Sequence, residues 1–291
     1  MSDAPQRVAY LGPPGTNTDE ALRASASGPF EPVSCTTVPE AIMAVQDGAA
    51  ERAVVPIENS LEGGVAATLD ALAGDASDVR IVGETVQPIH HHLIAAAPLD
   101  LGAIRRVLSH PHALGQCSRF LRDRLPHAEV AAASSTAEAV RSLSDADRPW
   151  AAIGSGLSAE LYDATIVAER IEDRRDNVTR FVWLAPAADA QTPAGGPAKT
   201  SIVFWGFNDA APGALVSVLR ELSDREINLT KIESRPRRVR LGHYMFFADL
   251  EASAAEPRVE EALTALAGRV ETLRVLGSYP VAPVLGEPGS S

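Results

Sequence analysis

Residues 185–199 of the 291-residue chain read APAADAQTPAGGPAK. This stretch is rich in Ala, Pro and Gly and has no hydrophobic periodicity, so it reads as a linker and not as part of a core. A break of that kind forces the chain to build separate cores on its two sides, and the length alone favours two or three domains. The patterns on the two sides differ. After the linker, strands are expected at 200–207, 227–234, 244–250 and 270–279, with helices at 213–224 and 257–267. That order is βαββαβ, one sheet covered by two helices.

Before the linker, short apolar runs at 8–11, 53–57, 107–109 and 150–153 read as buried strands. Between them, 38–47, 111–124 and 135–144 have helical spacing. Helix-start signals support this: Thr37 before Val38, Ser109 with Pro111 just inside, and Ser134-Ser135 with Glu138 as capping-box partner. The alternation implies an α/β fold with mainly parallel sheets. Residues 79–97 break the rhythm: they are β-rich, contain no helix and carry Pro88 in the middle. Such a segment can take the chain to a second lobe, and 167–184 can return it, giving two α/β lobes around a cleft. The tail 286–291 reads as disordered.

Hydrophobic residues make up 45% and charged residues 22%, which suits a globular protein with a real core. The formal net charge of -12 argues against nucleic acid or an anionic membrane as partner, although a pocket can be locally positive. Cys35 and Cys117 read as buried free thiols in a reducing compartment. The start MSDAPQRVAYLG shows no signal peptide, and no apolar run approaches the roughly 20 residues that span a bilayer. The expected location is cytoplasmic.

Several segments carry groups suited to chemistry. Gly12-Pro-Pro-Gly-Thr16 follows the first strand, where backbone N–H groups can hold an anion; a steric need for glycine explains the turn equally well. Pro56-Ile-Glu-Asn-Ser-Leu-Glu-Gly-Gly64 ends a buried strand with Glu58, Asn59 and Ser60. Leu108-Ser-His-Pro-His-Ala-Leu-Gly-Gln-Cys117 repeats that layout on the other lobe, with Ser109 at the strand end and Gln116 about two turns into the helix. Either alone reads as a helix cap. Two polar strand ends facing one cleft suit a small, oxygen-rich molecule. Residues 171–181, IEDRRDNVTRF, read either as a solvated charged loop or as a site segment. His90 and His92 share a strand face but lack a third ligand at a familiar spacing, so no metal is expected. Cys117 reads as a core residue.

Nine segments in order, GPPGT, PIENSLEGG, HHHLIA, SHPHALGQC, STAEAV, AAIGS, NVTRF, GALV and ESRP, resemble the prephenate dehydratase family along nearly the whole chain. The resemblance implies a catalytic domain at 1–185, shaped like periplasmic binding proteins. Lobe one is then about 1–83 plus 172–185, and lobe two about 84–171. A linker at 186–198, an α+β ferredoxin-like ACT domain at 199–283 and a tail at 284–291 follow. It implies cofactor-free, metal-free conversion of prephenate to phenylpyruvate, with phenylalanine as effector and a homodimer or homotetramer as the assembly. Arogenate dehydration, prephenate decarboxylation and a catalytically dead amino-acid sensor are the alternatives; the intact NVTRF favours dehydration. By resemblance Thr179 is the catalytic acid. Thr16, Asn59, Ser60, Ser109, Gln116, Ser155, Asn177, Arg180 and Phe181 line the substrate site. The effector site falls on Gly213, Ala214, Leu215 and Val216, on Asn228, Leu229 and Thr230, and on Glu233, Ser234, Arg235 and Pro236. Two positions depart from the family pattern: Asn17 stands where an aromatic residue is usual, and His112 is not the commonest residue at its place.

Overall fold

A computed structural model describes residues 5–144, 148–207 and 211–282. Residue 283, the last of the expected ACT span, and the tail 284–291 lie outside the described residues. The first part of the chain runs β1 (Gln6–Leu11), α1 (Asn17–Ser25), β2 (Phe30–Cys35), α2 (Val38–Gln46), β3 (Arg52–Asn59), β4 (Gly63–Gly64), α3 (Ala66–Ala73) and β5 (Val79–Pro88). It continues with β6 (His92–Ala95), β7 (Arg106–Ser109), α4 (Pro111–Gln116), α5 (Ser118–Arg124), β8 (Glu129–Ala132), α6 (Thr136–Arg141), β9 (Trp150–Gly154), α7 (Gly156–Leu161), β10 (Thr165–Ala168) and β11 (Val178–Pro186).

These strands form two sheets. One has the order β2-β1-β3-β11-β5, with β4 on β3; the other has the order β10-β6-β9-β7-β8. Sheet membership therefore changes between β5 and β6 and again between β10 and β11, which are the two crossings the helix-free stretches suggested. The second sheet is mixed and not mainly parallel. β7 runs parallel to β8 and β9, but β6 is antiparallel to both β9 and β10. No helix lies between β5 and β6, so nothing forces β6 into a parallel crossover. The core of this sheet gathers Leu93, Val107, Ala151, Ile153, Leu121 and Cys117.

Local chemistry sets the helix ends. Ser135 Oγ accepts from Glu138 N at 3.0 Å, and Thr37 Oγ1 accepts from Glu40 N at 3.2 Å, as the capping signals indicated. The helix expected over 111–124 is two helices, broken at Cys117 directly after Gly115-Gln116. Its cap is the His110 side chain, which accepts from His112 N at 3.3 Å, while Ser109 remains in the strand.

The last part of the chain contains β12 (Ala198–Trp205), α8 (Ala214–Ser223), β13 (Leu229–Pro236), β14 (Tyr244–Leu250), α9 (Pro257–Ala267) and β15 (Thr272–Pro280). The sheet order is β13-β14-β12-β15, and every recorded pairing is antiparallel. Phe204, Ala248 and Leu250 meet Val218, Leu222, Val259 and Leu266 of the two helices in one apolar cluster. This is the expected βαββαβ unit. The connection 187–197 is held at several points: Asp189 pairs with Arg52 at 3.0 Å, Pro193 O accepts from Ser253 Oγ at 2.6 Å, and Pro197 O accepts from Val281 N at 3.2 Å.

Chain packing divides the protein into two compact units. One comprises Met1–Ala41, Val54–Gly63 and Val86–Phe181; the other comprises Ile42–Ala53, Gly64–Thr85 and Val182–Ser291. Each candidate site described below lies wholly within one unit.

Candidate active site and effector pocket

The end of β3 meets the start of β11, with Ser60 N donating to Val178 O at 2.9 Å. Strand alternation then separates the side chains into two sets. On one face, Arg180 Nη2 pairs with Glu58 Oε2 at 3.0 Å. On the other, Asn59 Nδ2 donates to Thr179 Oγ1 at 2.9 Å and to Asn177 Oδ1 at 2.8 Å. Asn59 Oδ1 accepts from Leu61 N at 2.9 Å and Glu62 N at 3.1 Å, which fixes the amide from its other end. Ser60 Oγ accepts from Val178 N at 3.0 Å and donates to Asp176 O at 3.2 Å, holding the chain that leads into β11.

The network continues to the second sheet. Asn177 Nδ2 donates to Gln116 Oε1 at 3.1 Å, and His91 Nε2 lies 2.8 Å from the same oxygen. An amide oxygen only accepts, so His91 carries its proton on Nε2. Burial lowers the His91 pKa; the Gln116 contact and the Glu172 charge act the other way without overcoming it, and the ring is neutral. Gln116 Nε2 donates to Glu62 Oε1 at 3.2 Å, and Glu62 Oε2 pairs with His112 Nδ1 at 2.8 Å. The uncommon His112 thus serves as partner to the acid of PIENSLEGG.

Beneath this network, burial pushes the Glu172 carboxyl up. Hydrogen bonds from its neighbours, led by the His91 N–H at 3.0 Å with His90 Nδ1 also at 3.0 Å, outweigh burial and hold it below the ordinary carboxylate value. The charged run 171–181 is therefore part of the site framework and not a solvated loop. The three consecutive histidines go to different partners. His90 meets Glu172 and Arg170, His91 meets Gln116, and His92 Nδ1 accepts from Arg170 N at 3.4 Å. Among the described residues no three His, Cys, Asp or Glu side chains converge as a metal-ligand set.

Four of the expected site residues, Asn59, Gln116, Asn177 and Thr179, join one hydrogen-bonded array, and Ser60 braces its edge. Three hydroxyls have structural partners instead. Thr16 Oγ1 donates to Leu11 O at 2.8 Å and caps α1. Ser155 Oγ donates to Gly15 O at 2.9 Å and caps α7. Ser109 is fully buried and donates to Ile153 O at 2.7 Å. The Phe181 ring is buried at the next inward position of β11. Sequence reasoning did not find His91, Glu62 and Glu172; His91 and Glu62 lie inside HHHLIA and PIENSLEGG, while Glu172 had only its place in the charged run 171–181 to point to it. Cys117 is buried, and burial pushes its thiol far up, which removes it as a nucleophile.

The effector residues fall in separate places. Gly213, Ala214, Leu215 and Val216 border a hollow of about 410 Å³ together with Phe207, Tyr244 and Phe246. Gly213 caps α8 at φ 82°, a conformation that favours glycine. Phe246 stands with Ala248 and Leu250 on the helix-covered face. Glu233 and Arg235 pair across the ladder with Phe247 and Met245, and so point to the opposite face. There Arg235 makes a bidentate ion pair with Asp70 of α3 at 2.7 and 2.9 Å, and Glu233 lies 3.3 Å from Lys231. Asn228 donates to Glu251 at 2.7 Å, Thr230 donates to Asp249 O at 3.4 Å, and Leu229 packs into the helix-side core. Ser234 and Pro236 are exposed on β13 and pair with Phe246 and Tyr244, on the face that carries the hollow.

Two α/β sheets joined by an amide-and-hydroxyl array, followed in the chain by a small sheet-and-helix unit with its own hollow, define a two-lobed α/β protein with a βαββαβ appendage. The prephenate dehydratase family model matches residues 8–189 and the ACT domain model residues 208–268, and the chain belongs to the prephenate dehydratase family. It is 41% identical over 274 residues to a prephenate dehydratase of Amycolatopsis methanolica, covering 94% of this chain and 88% of the relative. A crystal structure of prephenate dehydratase from Arthrobacter aurescens in complex with L-Phe superposes with a TM-score of 0.87 at 38% identity, covering 97% of this chain and 93% of the other. The structure of GqqA, described as a novel type of quorum quenching acylase, superposes with a TM-score of 0.84 at 31% identity, covering 96% and 99%.

Proposed function

We propose that this chain is a prephenate dehydratase whose activity phenylalanine controls through the ACT domain. The observation that carries the reading is the Asn59 N–H donated to Thr179 Oγ1 at 2.9 Å. It occupies a lone pair of the hydroxyl and leaves the hydroxyl proton free to be given away. In the reaction, the electron pair of the carboxylate's C–C bond flows into the ring as carbon dioxide leaves. The ring becomes aromatic and expels its hydroxyl, which takes the Thr179 proton and departs as water. A threonine hydroxyl is a weak acid, so the charge growing on Oγ1 needs a donor already in place. Asn59 supplies it. Arg180, on the opposite strand face with Glu58, does not.

In this reading Gln116 and Asn177 present amide donors to the substrate's oxygens, Ser60 braces the entry to β11, and Phe181 supports the strand beneath the ring. Thr16 and Ser155 cap the helices that follow their strands, and Ser109 ties its strand to Ile153 O, so these three support the site and do not contact the substrate. Acyl hydrolysis, the activity in the description of GqqA, needs a nucleophile beside a general base. Among the described residues no imidazole hydrogen-bonds to Thr179 Oγ1, so dehydration fits the array better.

The phenylalanine site is assigned to the hollow at Gly213–Val216, where the start of α8 receives the carboxylate and Phe207, Tyr244 and Phe246 receive the ring. The Arthrobacter relative, solved in complex with L-Phe, supports phenylalanine as the ligand. Domain limits of 1–185, 186–198 and 199–283, a homodimer or homotetramer, and a cytoplasmic location complete the proposal. No helix among the described residues is long and apolar enough to cross a membrane. The test is to incubate pure protein with prephenate and follow phenylpyruvate absorbance, with arogenate as a second substrate. Phenylpyruvate formed from prephenate and suppressed by phenylalanine is the expected result. Prephenate consumed without aromatisation, or left intact, overturns the assignment.

A further inference from the structure

We propose that a hollow at the junction of β5, the connection 187–197 and β15 is a binding site for a small, doubly charged oxyanion. The hollow measures about 400 Å³, and Arg80, Arg274, Gln191, Thr192 and Ser278 supply its polar border. Both arginines donate to main-chain carbonyls. Arg80 Nη1 reaches Ser77 O at 2.7 Å and Val79 O at 2.9 Å, and Arg274 Nη1 reaches Ala73 O at 2.7 Å. Arg274 Nη2 lies 3.4 Å from Ala76 O.

Among the described residues neither guanidinium has a carboxylate within ion-pair distance. A guanidinium has five N–H donors, so each retains several for a ligand. Burial, and after it the neighbouring Arg80 charge, lowers the pKa of Arg274, while Asp78 at longer range acts the other way. An anion between the two arginines would relieve that repulsion. Their forked donors suit paired oxygens, as in a phosphate or a carboxylate. Thr192 and Gln191 add neutral donors from the connection. A bound anion would therefore tie β5, the connection and β15 together at one point, away from both sites described above.

Inorganic phosphate and malonate separate the two sources of such an oxyanion. Each is titrated into the full-length protein by calorimetry at constant ionic strength, with chloride as control. Saturable binding of one or both, absent with chloride, is expected. Arg80→Gln and Arg274→Gln should each weaken it by about ten- to a hundredfold, the range for losing hydrogen bonds to a charged group. Arg80→Lys, which keeps the charge and loses the fork, should fall between. A circular dichroism spectrum identical to wild type shows that the variants are folded. No binding beyond the chloride control overturns the proposal, as does unchanged affinity in a folded Arg80→Gln protein.

Discussion

The ends of β3 and β7 carry the same kind of sequence, a buried strand running into polar residues and then a helix, yet the fold uses them differently. At the end of β3, Asn59 has an amide with atoms to spare: its oxygen holds two backbone N–H groups while its nitrogen reaches Asn177 and Thr179. At the end of β7, Ser109 has one hydroxyl proton, and Ile153 O takes it in a fully buried setting. The reach from that sheet into the hydrogen-bonded array comes instead from Gln116, the last residue of α4. A side chain with several hydrogen-bonding atoms can satisfy the fold and still present a donor. A single hydroxyl in the interior cannot do both.

The comparison can be broken by mutation. Thr179→Ala should lower turnover by roughly 10²–10⁴-fold, the range for a positioned acid, with a much smaller change in KM. Steady-state kinetics on prephenate check this, and near wild-type turnover would remove Thr179 from the chemistry. Asn59→Ala should cost roughly 10²–10³-fold, as for one donor to a developing oxyanion. If Asn59 acts through Thr179, the double variant should be no slower than Thr179→Ala alone. Losses that multiply would show that the two act independently.

A third test concerns the support under the array. His91 is neutral in the folded protein because burial lowers its pKa, whereas the unfolded chain protonates it near the ordinary value of about 6.5. The unfolded state therefore binds more protons below that pH. The stabilisation is complete above about 6.5 and is lost as pH falls toward the lowered folded value. Urea midpoints measured from pH 7 to 5 should decline in the wild type and decline less in His91→Gln. Equal slopes would take His91 out of the acid response. The smallest effect belongs to β7: Ser109→Ala should cost about 1 kcal/mol of stability, the net worth of one hydrogen bond, and leave turnover unchanged. A large loss of turnover in a stable Ser109→Ala protein would restore Ser109 to the substrate site.

Much of this was legible in the sequence. β14 and α9 run over the expected residues, and the strand end at Ser109 was placed correctly, whereas β3 runs two residues past the expected 53–57 to Asn59 because apolar pattern stops before the polar end of a strand does. β2, β8 and β10 were not anticipated; their residues are largely exposed or half-buried, and the apolar runs in β8 and β10 are only three residues long. The resemblance brought GALV and ESRP together as one effector site; the ladder register divides ESRP, with Ser234 and Pro236 opposite Phe246 and Tyr244 of the hollow and Glu233 and Arg235 on the other face. A one-residue alternation of that kind shows only once β13 is paired with β14. The sharing of Gln116 Oε1 between Asn177 and His91 joins residues far apart in the chain, and local pattern has no access to it.

Gly277 of β15 carries a consequence for how this family can vary. A Cβ there would run into the main-chain carbonyl of Ile81 on β5. At Gly64 a Cβ would meet the Glu233 carboxylate, the tip of a side chain that can swing aside or be shortened by a second mutation. Backbone offers no such compensation. In natural sequence variation, position 64 is expected to drift in step with position 233, whereas position 277 should stay glycine in every lineage that keeps β15 against β5.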